Sequence, residues 1–161
     1  MIEISDLPQT GSFKIGAFKF YLSDFTYDEL CDVLGVPQEI YLIIGYDNAY
    51  LYKYEEIGLG KILAFRENDR IVEVHFEPEQ DIKIGDIVCA LGVKPRIVMN
   101  KRLKYLFFYN QFAGRILDEK FGTMNVLGFF DQEYIKKQKL PKFFMSGIAY
   151  DPQRLRLIYV D

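Results

Sequence analysis

The residues best suited to acid–base chemistry are Glu73 and His75, two positions apart in the segment Ile71–Phe76. His75 is the single histidine of the chain. If this segment is a strand, alternation places both side chains on one face, where a carboxylate can orient an imidazole that acts as a general base. The pair supports the hypothesis of an enzyme that uses Glu73 and His75. A packing or surface role is the competing interpretation, because the matching position of a related segment is Phe129.

Other catalytic chemistry finds little support. One histidine and two cysteines, Cys31 and Cys89 in apolar helical patterns, do not supply the ligands of a zinc site. The run Gly58-Leu59-Gly60-Lys61 lacks the Gly-Lys-Ser/Thr ending of a phosphate-binding loop. The sequence therefore predicts neither a metal site nor a cofactor, and it assigns no catalytic residues.

Aromatic residues are unusually frequent, with 14 Phe and 12 Tyr but no Trp. Tyrosines alternate along residues 50–54, and a second aromatic run follows at 105–109. Tyrosine offers a large contact area at low entropic cost and is enriched in interface hot spots, but it is also a common packing residue of half-buried strands. The predicted partner-binding residues are Tyr50, Tyr52, Tyr54, Glu55, Glu56, Glu73, His75, Tyr105, Phe107 and Phe129.

The elements that must position these residues occur twice in the chain. Residues 26–77 and 83–131 share anchors in the same order, such as Leu34-Gly35-Val36 with Leu91-Gly92-Val93. Internal similarity of this length is typical of a duplicated supersecondary unit. We predict a single domain, residues 1–161, divided into an N-terminal strand (13–22), a first repeat (23–78), a second repeat (81–131) and C-terminal strands (143–160).

Each repeat begins with helix signals and continues with strand signals. Thr26 and Glu29 have the spacing of a capping box, Gly35 is a typical helix end, and Asp81 is the candidate cap of the second helix. Alternating segments then predict three or four antiparallel strands. The predicted fold is α+β: two tandem α-β-β-β repeats form one antiparallel sheet of about six to eight strands, with two short helices on one face and the other face open.

This order of a capped helix ending in Leu-Gly-Val, a loop and antiparallel strands resembles the tandem-repeat fold of the beta-lactamase inhibitory protein family. Each repeat alone resembles the small outer-membrane lipoproteins of the SmpA/OmlA type. The resemblance runs from Leu34 to Phe76 and from Leu91 to Phe130. It implies a concave sheet that grips another protein.

The net charge of −3 conceals a strong asymmetry between the two halves. Residues 1–86 carry 17 acidic and 7 basic side chains, whereas residues 87–161 carry 6 and 13. Such asymmetry indicates either a charged partner or attraction between the halves within the fold, and the sequence leaves both open. Basic residues beside aromatic ones also suit single-stranded nucleic acid, but a pI near 5.3 makes that role unfavourable.

The sequence thus favours a protein-binding module whose partner is another protein. We interpret it as an inhibitor or immunity protein that neutralises a bacterial toxin or enzyme through an aromatic open sheet face. Two cysteines without disulfide spacing and no signal-like N-terminus predict a cytoplasmic protein without a membrane role. The alternatives are a structural or assembly protein, including a homodimer, and the enzyme that uses Glu73 and His75.

Overall fold

Two antiparallel sheets and five short α-helices form the fold in the computed structural model, which describes residues 2–55 and 57–161. The helices are α1 (Leu7–Thr10), α2 (Tyr27–Leu34), α3 (Ile84–Leu91), α4 (Gln132–Gln138) and α5 (Lys142–Ser146). The strands are β1 (Ile2–Glu3), β2 (Ser12–Ile15), β3 (Phe18–Tyr21), β4 (Glu39–Ile43), β5 (Ala49–Tyr54), β6 (Gly60–Glu67), β7 (Arg70–Pro78), β8 (Ile82–Lys83), β9 (Arg96–Asn100), β10 (Leu103–Tyr109), β11 (Phe112–Asp118), β12 (Thr123–Phe130) and β13 (Leu155–Val160). Two 3₁₀ turns, Ile148–Tyr150 and Pro152–Arg154, precede β13.

The larger sheet contains ten strands in the order β13-β4-β5-β6-β7-β12-β11-β10-β9, with β8 beside β12. After α2 the chain builds β4 to β7 strand by strand, and after α3 it builds β9 to β12 in the same way. The last strands of the two series, β7 and β12, pair at the centre of the sheet. The predicted class, α+β with a large antiparallel sheet, is confirmed, and α2 and α3 are each followed by four strands of this sheet.

Helix α2 begins where the capping box predicts. The Thr26 hydroxyl accepts a hydrogen bond from the Glu29 N–H at 3.2 Å, and the Glu29 carboxylate accepts one from the Thr26 N–H at 3.2 Å. Helix α3, in contrast, starts at Ile84, with Lys83 at its N-cap. The prediction that Asp81 caps this helix is wrong, because the two following residues form β8 and pair with β12.

The N-terminal segment 13–22 was predicted as one strand, which is wrong. It forms the hairpin β2–β3, to which β1 adds a third strand in a separate sheet. Gly16 sits in the turn at φ 59°, a left-handed conformation that glycine adopts without steric cost. The side chains of this small sheet reach the larger one, since the rings of Phe13 and Phe129 stack at 3.8 Å.

The prediction of strands throughout residues 143–160 is correct only for β13. Phe143, Phe144 and Met145 form α5, and all three side chains are buried. Here a short helix replaces a strand because the N–H groups of Phe143 and Phe144 donate to a side-chain carboxylate, that of Glu73, and not to a neighbouring strand.

Both faces of the large sheet are covered, each by its own hydrophobic core. One face packs against α2, α3 and the small sheet, with Leu30 and Ile87 in the same cluster. The opposite face packs against the C-terminal segment 131–150, which contributes α4, α5 and the first 3₁₀ turn. The open face expected from the sequence is therefore occupied by the chain itself.

Candidate functional site

The most extensive polar cluster of the interior surrounds the carboxylate of Glu73 in β7; we call it the carboxylate centre. Its Oε1 lies 2.7 Å from Nε2 of His75 and accepts the Phe144 N–H at 2.9 Å. Its Oε2 accepts the Phe143 N–H at 3.0 Å and the hydroxyl of Tyr134. The spacing of Glu73 and His75 correctly predicts that their side chains meet on one face of a strand.

The carboxylate centre is closed to solvent. Glu73 is 0% and His75 2% exposed, and the imidazole packs beside the rings of Phe65 and Phe144, at centroid distances of 4.5 and 5.0 Å. Burial, followed by the nearby Glu73 carboxylate, raises the pKa of Tyr134 far above its ordinary value, so the hydroxyl keeps its proton and remains a donor. The enzyme hypothesis requires that a substrate can reach the imidazole of His75, and in this structure the imidazole is buried. The geometry instead attaches the C-terminal segment to the sheet.

A second buried carboxylate, Asp131, fixes the start of that segment. It caps α4 by accepting the Tyr134 N–H at 3.0 Å, and it lies 3.4 Å from the guanidinium of Arg70. Arg70 also pairs with Asp24 and Glu133, each at 3.2 Å. These contacts hold α4 against β7 and leave the sheet face beneath it closed.

Most of the predicted partner-binding residues lie inside the molecule and divide between the two cores. Tyr52 stacks on Tyr27 of α2 at 4.3 Å, whereas the Tyr105 hydroxyl donates to the Phe144 carbonyl at 3.3 Å on the opposite face. The buried members are Tyr52, Tyr54, Glu73, His75, Tyr105, Phe107 and Phe129. They do not form one open surface, because each face of the sheet is already covered.

The remaining predicted residues are more accessible. Tyr50 is half-buried beneath the guanidinium of Arg66, and Glu55 is exposed, 3.9 Å from the ammonium of Lys61. Glu56 lies outside the described residues. For Tyr50 and Glu55 a contact with a partner stays a prediction.

A run of four exposed apolar residues lies at an edge of the large sheet, on β13, which the sequence predicted only as a closing strand. Five of its six residues are exposed. Leu157, Ile158, Tyr159 and Val160 are 47%, 50%, 39% and 60% exposed. A nearly continuous apolar run is more typical of a strand that is buried on both faces. The sequence of β13 therefore suggests a central strand, whereas β13 lies at the edge of the sheet.

The part of the chain that the structure describes contains no group of three or more His, Cys, Asp or Glu side chains that could hold a metal ion. Cys31 is half-buried and Cys89 exposed, and both are free thiols. None of the helices in residues 2–55 and 57–161 is long and apolar enough to cross a membrane.

Comparison with protein-family models and with curated proteins finds no match to this chain. Among solved structures, it is similar to an extracellular protein containing an SCP domain from Bacillus anthracis str. Ames, with 12% identity, a TM-score of 0.50 and coverage of 73% of this chain and 47% of the other. A cysteine-rich secretory protein from Staphylococcus aureus subsp. aureus Mu50 gives 12% identity, a TM-score of 0.48 and coverage of 71% and 46%.

The chain thus spans about half the length of the solved proteins it matches. At 12% identity, the likeness to the Bacillus anthracis structure is one of fold alone. It overturns the resemblance to the beta-lactamase inhibitory protein family, because the similar structure is an SCP-domain protein and this chain forms one large sheet without an open face. The expectation of a cytoplasmic protein is contradicted as well, since the protein of similar fold is described as extracellular.

Proposed function

We propose that the chain is a protein-binding module that captures an extended segment of another protein along β13. The observation that carries this proposal is the exposure of apolar side chains on both faces of an edge strand. The ladder with β4 shifts register at Ile158: Leu157 lies opposite Tyr41 and Tyr159 lies opposite Ile40. Because Tyr41 and Ile40 are neighbours that point to opposite faces, Leu157 and Tyr159 are exposed on opposite faces of β13.

The backbone of β13 suits strand capture. The strand pairs with β4 on one side and forms the end of the sheet on the other, where its N–H and C=O groups face outward. Proteins usually protect such edges with lysine, proline, β-bulges or inward-pointing charges. Between Leu155 and Val160 the protecting features are one charge, Arg156, and one register shift against β4, at Ile158, so most of the edge is unprotected. An added strand would gain main-chain hydrogen bonds and apolar contacts together.

The opposite edge strand of the sheet, β9, is less accessible to an added strand. Its Ile97 and Met99 are exposed, but Val98 and Asn100 are half-buried, and the Asn100 amide donates to the Met145 carbonyl at 2.6 Å. One face of β9 is therefore engaged by α5. This difference makes Ile97 a matched control for Ile158, with exposed fractions of 62% and 50%.

The expected occupant is a segment of a second protein with alternating apolar residues and an acidic residue opposite Arg156. Arg156 is exposed and forms no ion pair among the described residues. A second copy of this chain fits less well, because β13 contains no acidic residue to meet Arg156. An inhibitor or immunity role follows if the captured segment belongs to the working part of a toxin or enzyme.

Selection from a phage-displayed library of random twelve-residue peptides tests the proposal. We expect enriched peptides with alternating apolar residues and one acidic residue, whose binding Ile158→Lys abolishes and Ile97→Lys leaves unchanged. Light scattering should give a monomer over a range of protein concentration. Peptides that bind both lysine variants equally, or a stable dimer that Ile158→Lys dissociates, would overturn capture of a foreign segment.

We also infer that the large sheet consists of two related units, residues 23–78 and 81–131. In each, a helix followed by glycine (Gly35 and Gly92) leads into four successive antiparallel strands. Superposition of the two units tests this inference. Equivalent helices and strands in the same order would support duplication, and equivalence only after reordering the strands would contradict it.

A further inference from the structure

A second accessible site lies between the β9–β10 turn and α5, in a cleft of about 480 Å³ that we call the basic cleft. Residues 100–103 of the turn form one wall, Met145 and Ser146 of α5 form another, and Arg154 completes the lining. The volume is in the range of small-molecule pockets, roughly 300–1,000 Å³. The cleft is separate from the carboxylate centre.

The charges of the basic cleft are of one sign. Lys101, Arg102 and Arg154 line it, and no acidic side chain does. Among the described residues none of the three forms an ion pair, whereas nearby Lys104 is paired with Glu119. Like charges that converge on a cleft without a counter-ion create a positive potential there and attract an anion.

The turn that carries two of these cations is held in place. Asn100 pairs with Leu103 across the β9–β10 ladder, and its side-chain amide donates to the Met145 carbonyl at 2.6 Å. Lys101 occupies the left-handed region at φ 58°, which residues other than glycine adopt infrequently. The hydrogen bond and the ladder therefore fix the backbone that presents Lys101 and Arg102 to the cleft.

The lining also has an apolar part. Leu103, which is 40% exposed, and Met145 both line the cleft. A ligand that satisfied only the cations would leave this surface uncovered. The combination suits a molecule with a multiply charged group at one end and an apolar group at the other.

We propose that the basic cleft binds a phosphate ester of a small organic molecule. The phosphate would contact Lys101 and the two guanidinium groups, whose planar donors match phosphate oxygens in pairs. The organic group would lie against Leu103. A dianionic phosphate monoester matches three cations better than a single carboxylate does. This proposal is independent of strand capture by β13.

Phenyl phosphate is a suitable probe, with inorganic phosphate and phenol as reference ligands. Titration followed by amide NMR shifts should show saturable binding of phenyl phosphate that maps to residues 100–103 and α5, weaker binding of inorganic phosphate and none of phenol. Arg102→Gln and Arg154→Gln should each weaken binding about tenfold or more, as expected for loss of a charged hydrogen-bond partner. Lys120→Gln, which removes an exposed cation outside both the cleft and β13, is the control.

Three results would overturn the proposal. The first is binding that does not saturate. The second is equal weakening in Lys120→Gln, which would indicate a general effect of surface charge. The third is an affinity for inorganic phosphate equal to that for phenyl phosphate, which would remove the organic group from the assignment. Thermal unfolding of each variant, expected to match the wild type because these side chains are not buried, verifies that the fold is intact.

Discussion

Replacement of Glu73 by alanine is expected to destabilise the protein severely, although the residue is a single carboxylate. Two backbone N–H groups, at 3.0 and 2.9 Å, and the Tyr134 hydroxyl would lose their acceptor in an interior from which water is excluded. An unsatisfied buried donor costs about 1–3 kcal/mol. Removing a buried negative charge recovers part of its desolvation cost. We therefore expect a loss of about 3–5 kcal/mol, against a total stability of about 5–15 kcal/mol for a typical domain.

Urea unfolding followed by far-UV circular dichroism measures this loss. Glu79→Ala is the matched control, because Glu79 is exposed shortly after Glu73 in the chain and should change stability by less than about 0.5 kcal/mol. Glu73→Gln keeps the shape and one acceptor oxygen but turns an amide donor toward other donors, so it should fall between the two. Hydrogen exchange at the amides of Phe143 and Phe144 should accelerate in both Glu73 variants.

The reasoning is refuted if Glu73→Ala lies within about 1 kcal/mol of Glu79→Ala, since three unsatisfied donors cannot cost so little. Should the alanine variant fail to fold, Glu73→Gln remains decisive. Unchanged exchange at Phe143 and Phe144 in that variant would show that the carboxylate does not attach α5 to the sheet.

Three further predictions concern single positions. Thr26→Ala removes the capping hydroxyl of α2 and should cost about 1 kcal/mol in urea unfolding. Gly128→Ala brings a methyl group within 2.6 Å of the Phe130 ring and 2.9 Å of the Phe144 ring, and it should destabilise the protein by about 1–3 kcal/mol. Gly85→Ala, in an open position of α3, should instead stabilise it by about 0.5–1 kcal/mol. Thermal unfolding compares the two variants. Burial, then a hydrogen bond to Glu39, raises the pKa of Tyr41 from 10.0 to about 12, so the stabilisation it provides is complete below pH 10 and is lost as pH rises toward 12. Alkaline unfolding of wild type and Tyr41→Phe checks this.

Each of these predictions has a contrary result. A Thr26→Ala variant as stable as wild type would show that the cap contributes nothing. Glycine variants that shift in the same direction would contradict the packing argument. A Tyr41→Phe variant that loses stability over the same pH range as wild type would assign the alkaline transition to other groups.

Local signals in the sequence predicted local structure well. The capping box of Thr26 and Glu29 marks the start of α2, and the spacing of Glu73 and His75 places them side by side. Both inferences depend on residues that are neighbours along the chain, where the geometry of a helix or strand leaves few alternatives. The α+β class with a large antiparallel sheet follows from the same kind of pattern.

Contacts between residues that are far apart in the chain could not be predicted from the sequence. The donors that complete the carboxylate centre lie 61 to 71 positions after Glu73, so nothing near it indicates that it is buried and satisfied. The sequence does not show how the strands pair, so it placed the tyrosines of β5 and the aromatic residues of β10 on the same face of the sheet. In the structure Tyr52 and Tyr54 lie on one face, and Tyr105 and Phe107 lie on the other. For the same reason, the sequence could not show that the apolar run of β13 lies at an edge of the sheet.

The central claim is that β13 accepts a strand, and residue-resolved amide hydrogen exchange tests it most directly. The chain is measured alone and with a peptide selected for binding. We predict that the peptide slows exchange at amides within Leu155–Val160 that face away from β4, and that it leaves β9 unchanged. Protection confined to β9 or to the covered faces of the sheet, with β13 unaffected, would contradict the account.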